Sequence, residues 1–313
     1  MRKIKDFMYG EDVELFARLF DISIRSTSAN SEYASLNAFD GEDVVEAKIW
    51  GIDEQKKSIL KNDEVYFIKG KLREYQGRPQ LIISELRLAT EEDNIDLTQY
   101  YEFAKLSEEE LKEEIFGYIN KISNPLLRGI TKELITIYQD RFFTHPAAVV
   151  MHHNYHSGLA YHVYSMLKLS DGILNVYPFL NKDLLYSGII LHDLGKTFEL
   201  SGPKGTEYTL EGNLIGHITL CVNEIYRIAS QMGVEKSDEV LTLMHLVLSH
   251  HGELEYGSPK EPIVAEGVVI HFLDNLDARL ATLEKELSRT KKGKFTDNLP
   301  IFDRKAFYNP NIK

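Results

Sequence analysis

The sequence predicts two folds in succession: a small five-stranded β-barrel, then an all-α bundle. Three observations carry this. β-forming residues with period-two alternation cluster between positions 15 and 90. Beyond position 97 nearly every segment carries a helical period. The length of 313 residues is ample for two domains.

Five strands are expected at residues 16–24, 34–39, 44–50, 64–74 and 79–88. Turn chemistry separates them. Asp40-Gly41 divides the second from the third, Lys61-Asn62-Asp63 precedes the fourth, and Gln76-Gly77-Arg78-Pro79 divides the last two. Five short strands in so few residues suggest a closed barrel. The acidic, polar stretch 90–97 reads as a linker. Ser107 followed by Glu110 is a capping-box pattern that opens a helix running to about residue 122. Further helices are expected at 125–140, 158–176, 182–192, 213–233, 237–251 and 265–288, with Gly233 and Gly252 where C-terminal caps belong. Residues 291–313 lack periodicity and read as an extended strap. The expected domains are thus 1–92, 93–290 and a tail, 291–313.

Composition narrows the function classes. Hydrophobic residues make up 43% and charged residues 27%, enough to build real cores. Cys221 is the single cysteine, so no disulfide forms within the chain, which fits a reducing cytoplasm. Residues 1–10 are charged and unlike a secretory signal. The longest apolar runs, 184–191 and 268–273, are too short to span a bilayer. A cytoplasmic chain with no membrane partner is expected. A net charge of −12 argues against sequence-independent coating of nucleic acid, though it leaves room for a local basic groove.

The chemistry lies in an ordered set of side chains on separate expected helices: His162, His192-Asp193, His217, His250-His251 and Asp274. Each gap is about one helix plus a connection, so a bundle can bring the set to one point. Imidazole with carboxylate suits Mn²⁺, Fe²⁺, Co²⁺ or Zn²⁺. A carboxylate can bridge two cations, and Asp193 is the candidate bridge. Two metals about 3.5–4 Å apart clamp a phosphodiester and generate hydroxide. A lone histidine on an apolar helix is ordinarily packed or solvated, and His145, His152, His153, His156, His245 and His271 fall there by default. His192-Asp193 differs, because it closes the almost wholly apolar run 186–191 and needs polar partners.

The order His, His-Asp, His, His-His, Asp resembles the HD phosphohydrolase superfamily. Leu191-His192-Asp193-Leu194-Gly195-Lys196 is similar to its signature, Leu248-Ser249-His250-His251-Gly252 to the second-metal segment of its two-metal branch, and Asp274-Asn275-Leu276-Asp277-Ala278 to its last segment. The resemblance implies that His162, His192, Asp193 and Asp274 hold a first metal. It implies that Asp193, with His217 and His250 or His251, holds a second. Asp277 would support a ligand. Lys196 would face the substrate phosphate as cation or proton donor, with His156 the other donor candidate.

The front barrel reads as an OB-fold, a fold that commonly binds single strands. Between residues 69 and 87 five basic residues stand against Glu74 and Glu85. Lys71, Arg73 and Arg78 are the candidate backbone contacts, and Trp50 and Tyr75 the candidate stacking rings. Of Trp50, Tyr66, Phe67 and Tyr75, at least two are expected in the core, Phe67 among them. Barrel plus bundle is similar to the YhaM-type 3′–5′ exoribonucleases. The similarity rests also on residues 70–81, on His153-Asn154-Tyr155-His156-Ser157-Gly158-Leu159, on Tyr208-Thr209-Leu210-Glu211-Gly212 and on Leu214-Ile215-Gly216-His217-Ile218. This resemblance implies a Mn²⁺-type enzyme that removes mononucleotides from the 3′ end of single-stranded RNA, and also acts on DNA. A homo-oligomer is compatible with it. Two other readings stand beside it: an HD-type phosphohydrolase of cyclic dinucleotides or nucleotides, and a non-catalytic RNA-binding adaptor.

Overall fold

A computed structural model describes residues 2–26, 31–101, 104–148, 155–203 and 206–312. The chain divides into two compact units, Met1–Glu102 and Phe103–Lys313.

The first unit is a closed barrel of strands β1 (Asp12–Ser26), β2 (Glu32–Phe39), β3 (Val44–Trp50), β4 (Glu64–Tyr75) and β5 (Arg78–Leu88), in the order β1-β2-β3-β5-β4. All neighbouring pairs are antiparallel except β3 with β5. This is the expected OB-type barrel. Period-two alternation works as anticipated: Leu15, Leu19, Leu36, Ala47, Ile49, Ile68 and Leu81 fill the interior. Three differences appear. The first strand begins four residues earlier than expected, at Asp12, because β4 pairs with it back to Lys71. A short helix, α1 (Glu54–Ile59), joins β3 to β4, capped by the Asp53 side chain accepting the Lys56 N–H at 2.7 Å. The first unit also runs past residue 92, since Tyr100 packs with Phe16 and Val65 on the barrel's outside.

The second unit holds α2 (Glu108–Asn120), α3 (Pro125–Phe142), α4 (Gly158–Val176), α5 (Lys182–Leu191), α6 (Lys196–Glu199), α7 (Leu210–Ile215), α8 (His217–Gln231), α9 (Asp238–Ser249) and α10 (Ala265–Arg289). The capping box forms: Ser107 Oγ accepts the Glu110 N–H and Glu110 accepts the Ser107 N–H at 2.8 Å. α5 is the central helix, packed by α2, α3, α4, α9 and α10. Its residues Leu184–Leu191 are all buried, which explains their almost wholly apolar run. Each large side chain so buried contributes about 1.5–3 kcal/mol. The expected helix at 213–233 is instead two, α7 and α8, broken at Gly216 with φ +79°. The tail is not a plain strap: β6 (Lys294–Phe295) pairs with β7 (Tyr308–Asn309), and Asn309 Nδ2 donates to the Leu287 and Thr290 carbonyls that end α10. Among the described residues no helix is long and apolar enough to cross a membrane.

Candidate metal centre

Helix ends deliver most of the predicted ligands. His192 and Asp193 directly follow α5, His250 and His251 directly follow α9, and His217 opens α8. His162 and Asp274 come from the interiors of α4 and α10. His162, His192, Asp193 and His250 are essentially buried.

Asp193 is where these elements meet. Its Oδ2 lies 3.3 Å from His192 Nε2, 4.0 Å from His162 Nε2 and 2.7 Å from Lys196 Nζ. Its Oδ1 lies 3.5 Å from His217 Nε2 and 3.7 Å from His250 Nε2. The carboxylate therefore turns one oxygen to each half of the cluster. His162, His192 and Asp193 form one group whose ligand atoms all lie within 4.8 Å of one another. His217, His250 and His251 form a second on the same criterion. Asp274 joins the first, its Oδ1 3.2 Å from His162 Nε2. His250 and His251 both lie in the second group, so its geometry admits either ring.

Nδ1 of four rings is already engaged. His192 Nδ1 donates to the Ile189 carbonyl and His250 Nδ1 to the Val247 carbonyl, each at 2.7 Å. His162 Nδ1 lies 2.7 Å from Asp277 Oδ2, and His217 Nδ1 lies 3.0 Å from Glu199 Oε1. Each contact directs Nε2 inward. Nε2 of His192, His217 and His250, with Asp193 Oδ1, are buried without a hydrogen-bond partner. Such atoms cost about 1–3 kcal/mol each unless something binds them. Divalent cations fit this donor set of imidazole nitrogens and carboxylate oxygens.

Electrostatics agree. Burial opposes a charged carboxylate at Asp193, but Lys196 and His192 outweigh it and hold it well below the usual range. Burial likewise opposes the Lys196 ammonium, yet Asp193 and Asp274 keep it charged. Burial and the neighbouring His251 and His192 hold the His250 ring neutral, the form that ligates.

The histidines left without a ligand role mostly have structural ones. His245 Nε2 accepts the Ile263 N–H at 3.1 Å. His271 sits against the His250 carbonyl and behind Gly252, where an added Cβ would come within 2.3 Å of its ring. His152 and His153 lie outside the described residues. His156, the second proton-donor candidate, has its Nε2 4.0 Å from Glu108 at the start of α2, and it belongs to neither ligand group. Glu199 was not anticipated. Nothing in the sequence marks it, because its partner lies 18 residues away across α7.

On the barrel, register puts Lys71, Arg73 and Tyr75 of β4 on the same outward face as Lys48 and Trp50 of β3, across β5. Trp50 and Tyr75 are each about half exposed, and Arg73 and Arg78 are exposed. Two unanticipated residues complete the patch. Tyr33 stacks on Trp50 with centroids 4.8 Å apart, and Lys48 Nζ lies within 5.8 Å of the Tyr33, Trp50 and Tyr75 rings. Lys71 lies 3.5 Å from Asp12. Phe67, expected in the core, is only partly buried, packed against Phe16 outside the barrel, so of these four rings Tyr66 alone lies in the core rather than the two expected.

A helical centre of histidines and aspartates, following an OB-type barrel in the chain, defines an HD-type phosphohydrolase, and residues 159–279 match the HD domain family. The chain is 42% identical over 313 residues to the 3′-5′ exoribonuclease YhaM of Listeria monocytogenes serovar 1/2a, covering 100% of this chain and 99% of that protein. It is equally similar, over the same shares, to the 3′-5′ exoribonuclease YhaM of Listeria welshimeri serovar 6b. Among solved structures, the second OB-fold domain of replication protein A from Methanococcus maripaludis aligns with 28% of this chain and 92% of its own, at 13% identity and a TM-score of 0.23. The chain belongs to the YhaM 3′-5′ exoribonuclease family.

Proposed function

We propose that this chain is a metal-dependent 3′–5′ exoribonuclease that hydrolyses single-stranded RNA, and single-stranded DNA, to nucleoside monophosphates. The observation that carries the reading is the convergence of buried ring nitrogens on the two oxygens of Asp193. His162, His192, Asp193 and Asp274 would hold one cation, and Asp193, His217, His250 and His251 would hold the other. Bound there, Mn²⁺ foremost, two divalent cations supply Lewis-acid charge to a phosphodiester.

The chain's own groups do the rest. Asp193, kept ionised, offers one oxygen to each half of the centre. Lys196 carries a positive charge and a proton at Nζ, 2.7 Å from Asp193 Oδ2. It neutralises charge developing on the phosphate and protonates the leaving ribose 3′ oxygen. Its contact with Asp193 supports this role for it over His156, whose ring belongs to neither ligand group. On the barrel, Tyr33, Trp50 and Tyr75 stack bases, while Lys48, Lys71, Arg73 and Arg78 meet the backbone.

The test is a single-stranded RNA labelled at its 5′ end, incubated with the protein and Mn²⁺. A ladder shortening one nucleotide at a time, lost on adding chelator, is expected. Internal fragments, or an intact band with Mn²⁺ present, would overturn the proposal.

A further inference from the structure

Each ligand group contains one histidine whose Nδ1 meets a carboxylate rather than a backbone carbonyl: His162 with Asp277, and His217 with Glu199. Glu199 makes the more elaborate contact. One oxygen, Oε1, accepts both the backbone N–H of His217, at 3.1 Å, and its ring Nδ1–H, at 3.0 Å. A single atom thereby holds the first residue of α8 at the main chain and at the ring. Only the tautomer with the proton on Nδ1 satisfies this, and it leaves the Nε2 lone pair toward Asp193 and His250.

Glu199 is itself clamped. Its backbone carbonyl accepts the Thr209 N–H at 2.9 Å, and Thr209 Oγ1 donates to the Phe198 carbonyl at 2.8 Å. Gly212 of α7 lies so close that an added Cβ would come within 2.4 Å of the Glu199 carbonyl oxygen. Thr209 also caps α7, accepting the Gly212 N–H at 2.9 Å. The Tyr208-Thr209-Leu210-Glu211-Gly212 segment thus locks the backbone that carries Glu199. Glu199 is nearly buried, so water competes poorly for its oxygens.

We propose that Glu199 is the positioning residue of the second ligand group, setting the tautomer and orientation of His217 so that the group accepts a cation. This rests on the two-cation reading above. The first group, buttressed by Asp277, does not depend on it.

The experiment uses the full chain freed of metal, as wild type, Glu199→Ala and Glu199→Gln. Mn²⁺ alone is titrated calorimetrically, and bound metal is counted by elemental analysis. The ring tautomer of His217 is read in the metal-free proteins by long-range nitrogen–proton correlation. Wild type is expected to bind two Mn²⁺ and to show the Nδ1–H tautomer. Glu199→Ala is expected to keep one tight site and weaken the other by about 10–100-fold, as loss of a ligand's supporting partner does. Glu199→Gln keeps an oxygen acceptor in place, so it is expected to retain the tautomer and most of the affinity. A His217 ring protonated on Nε2 in wild type overturns the role of Glu199, whatever the metal count. So does an unchanged second site in Glu199→Ala. A wild-type chain that binds one Mn²⁺ or none overturns the two-cation reading instead, while the tautomer result still judges the hydrogen bond. If Glu199→Ala fails to fold, Glu199→Gln decides: a wild-type tautomer supports the clamp, and a lost one with Nδ1 unprotonated overturns it.

Discussion

His162 shows how a single ring couples the centre to pH. Burial disfavours its charged form, but hydrogen bonds to Asp274 and Asp277 more than compensate and raise it to about 10. Because this value lies above the ordinary one, its contribution to the metal-free fold is full below about pH 6.5 and fades as pH rises through about 10. A cation at Nε2 must expel the proton held there. Mn²⁺ affinity should therefore climb with pH, by about tenfold per unit between about 7 and 9, and titrations at fixed ionic strength will show it. A flat profile in that window would contradict the assignment of His162 as a ligand. Asp193 lies at the junction of both groups. Its change to alanine should cut RNA turnover by more than about a hundredfold while leaving RNA binding intact. Wild-type cleavage by that variant would exclude the centre from catalysis.

At the scale of elements, close backbone approach is what assembles the centre. The turn after α5 must meet the start of α8, and at Gly195 an added Cβ would lie 1.9 Å from the His217 carbonyl oxygen, which is backbone and cannot swing aside. Gly195→Ala should cost about 3 kcal/mol and displace His217, so both thermal stability and Mn²⁺ content are expected to fall. Gly172 offers the contrast: it lies exposed in α4 with nothing within 4 Å of an added Cβ. Gly172→Ala should raise stability by about 0.5–1 kcal/mol, as expected for a helix-interior glycine, with metal binding unchanged. Thermal unfolding of the two variants measures both. Equal effects would mean that the α5–α8 approach has no special tightness.

For the whole molecule, the proposed function assigns chemistry and strand binding to different compact units, so the two should separate experimentally. Adding Mn²⁺ at about a hundred times its dissociation constant should stabilise the chain by about 2.7 kcal/mol for each site filled, and chelator should remove that gain. Replacing Trp50 or Tyr75 by alanine should weaken single-stranded RNA binding by about 1–3 kcal/mol each, yet leave the Mn²⁺-dependent gain untouched. If the barrel variants lowered metal content instead, this division of roles would be wrong. The net charge of −12 does not oppose it, because the outward barrel patch gathers Lys48, Lys71, Arg73 and Arg78 locally.

By itself the sequence determined the barrel-then-bundle order, most of the strand interior and the candidate set of histidines and aspartates that the fold brings together. Those features are local: alternation, capping and residue type repeat or stand out along the chain. His192-Asp193 was conspicuous because it ends a run too apolar to tolerate lone charges. Only the tertiary structure decided that His250 and His251 both lie in the second group, that Glu199 holds His217, and that Tyr33 and Lys48 join Trp50. It also decided that Gly216 breaks one expected helix into two, so that His217 starts a helix. Each of these depends on which residues meet across elements, and packing and register set that rather than the spacing of residues along the chain.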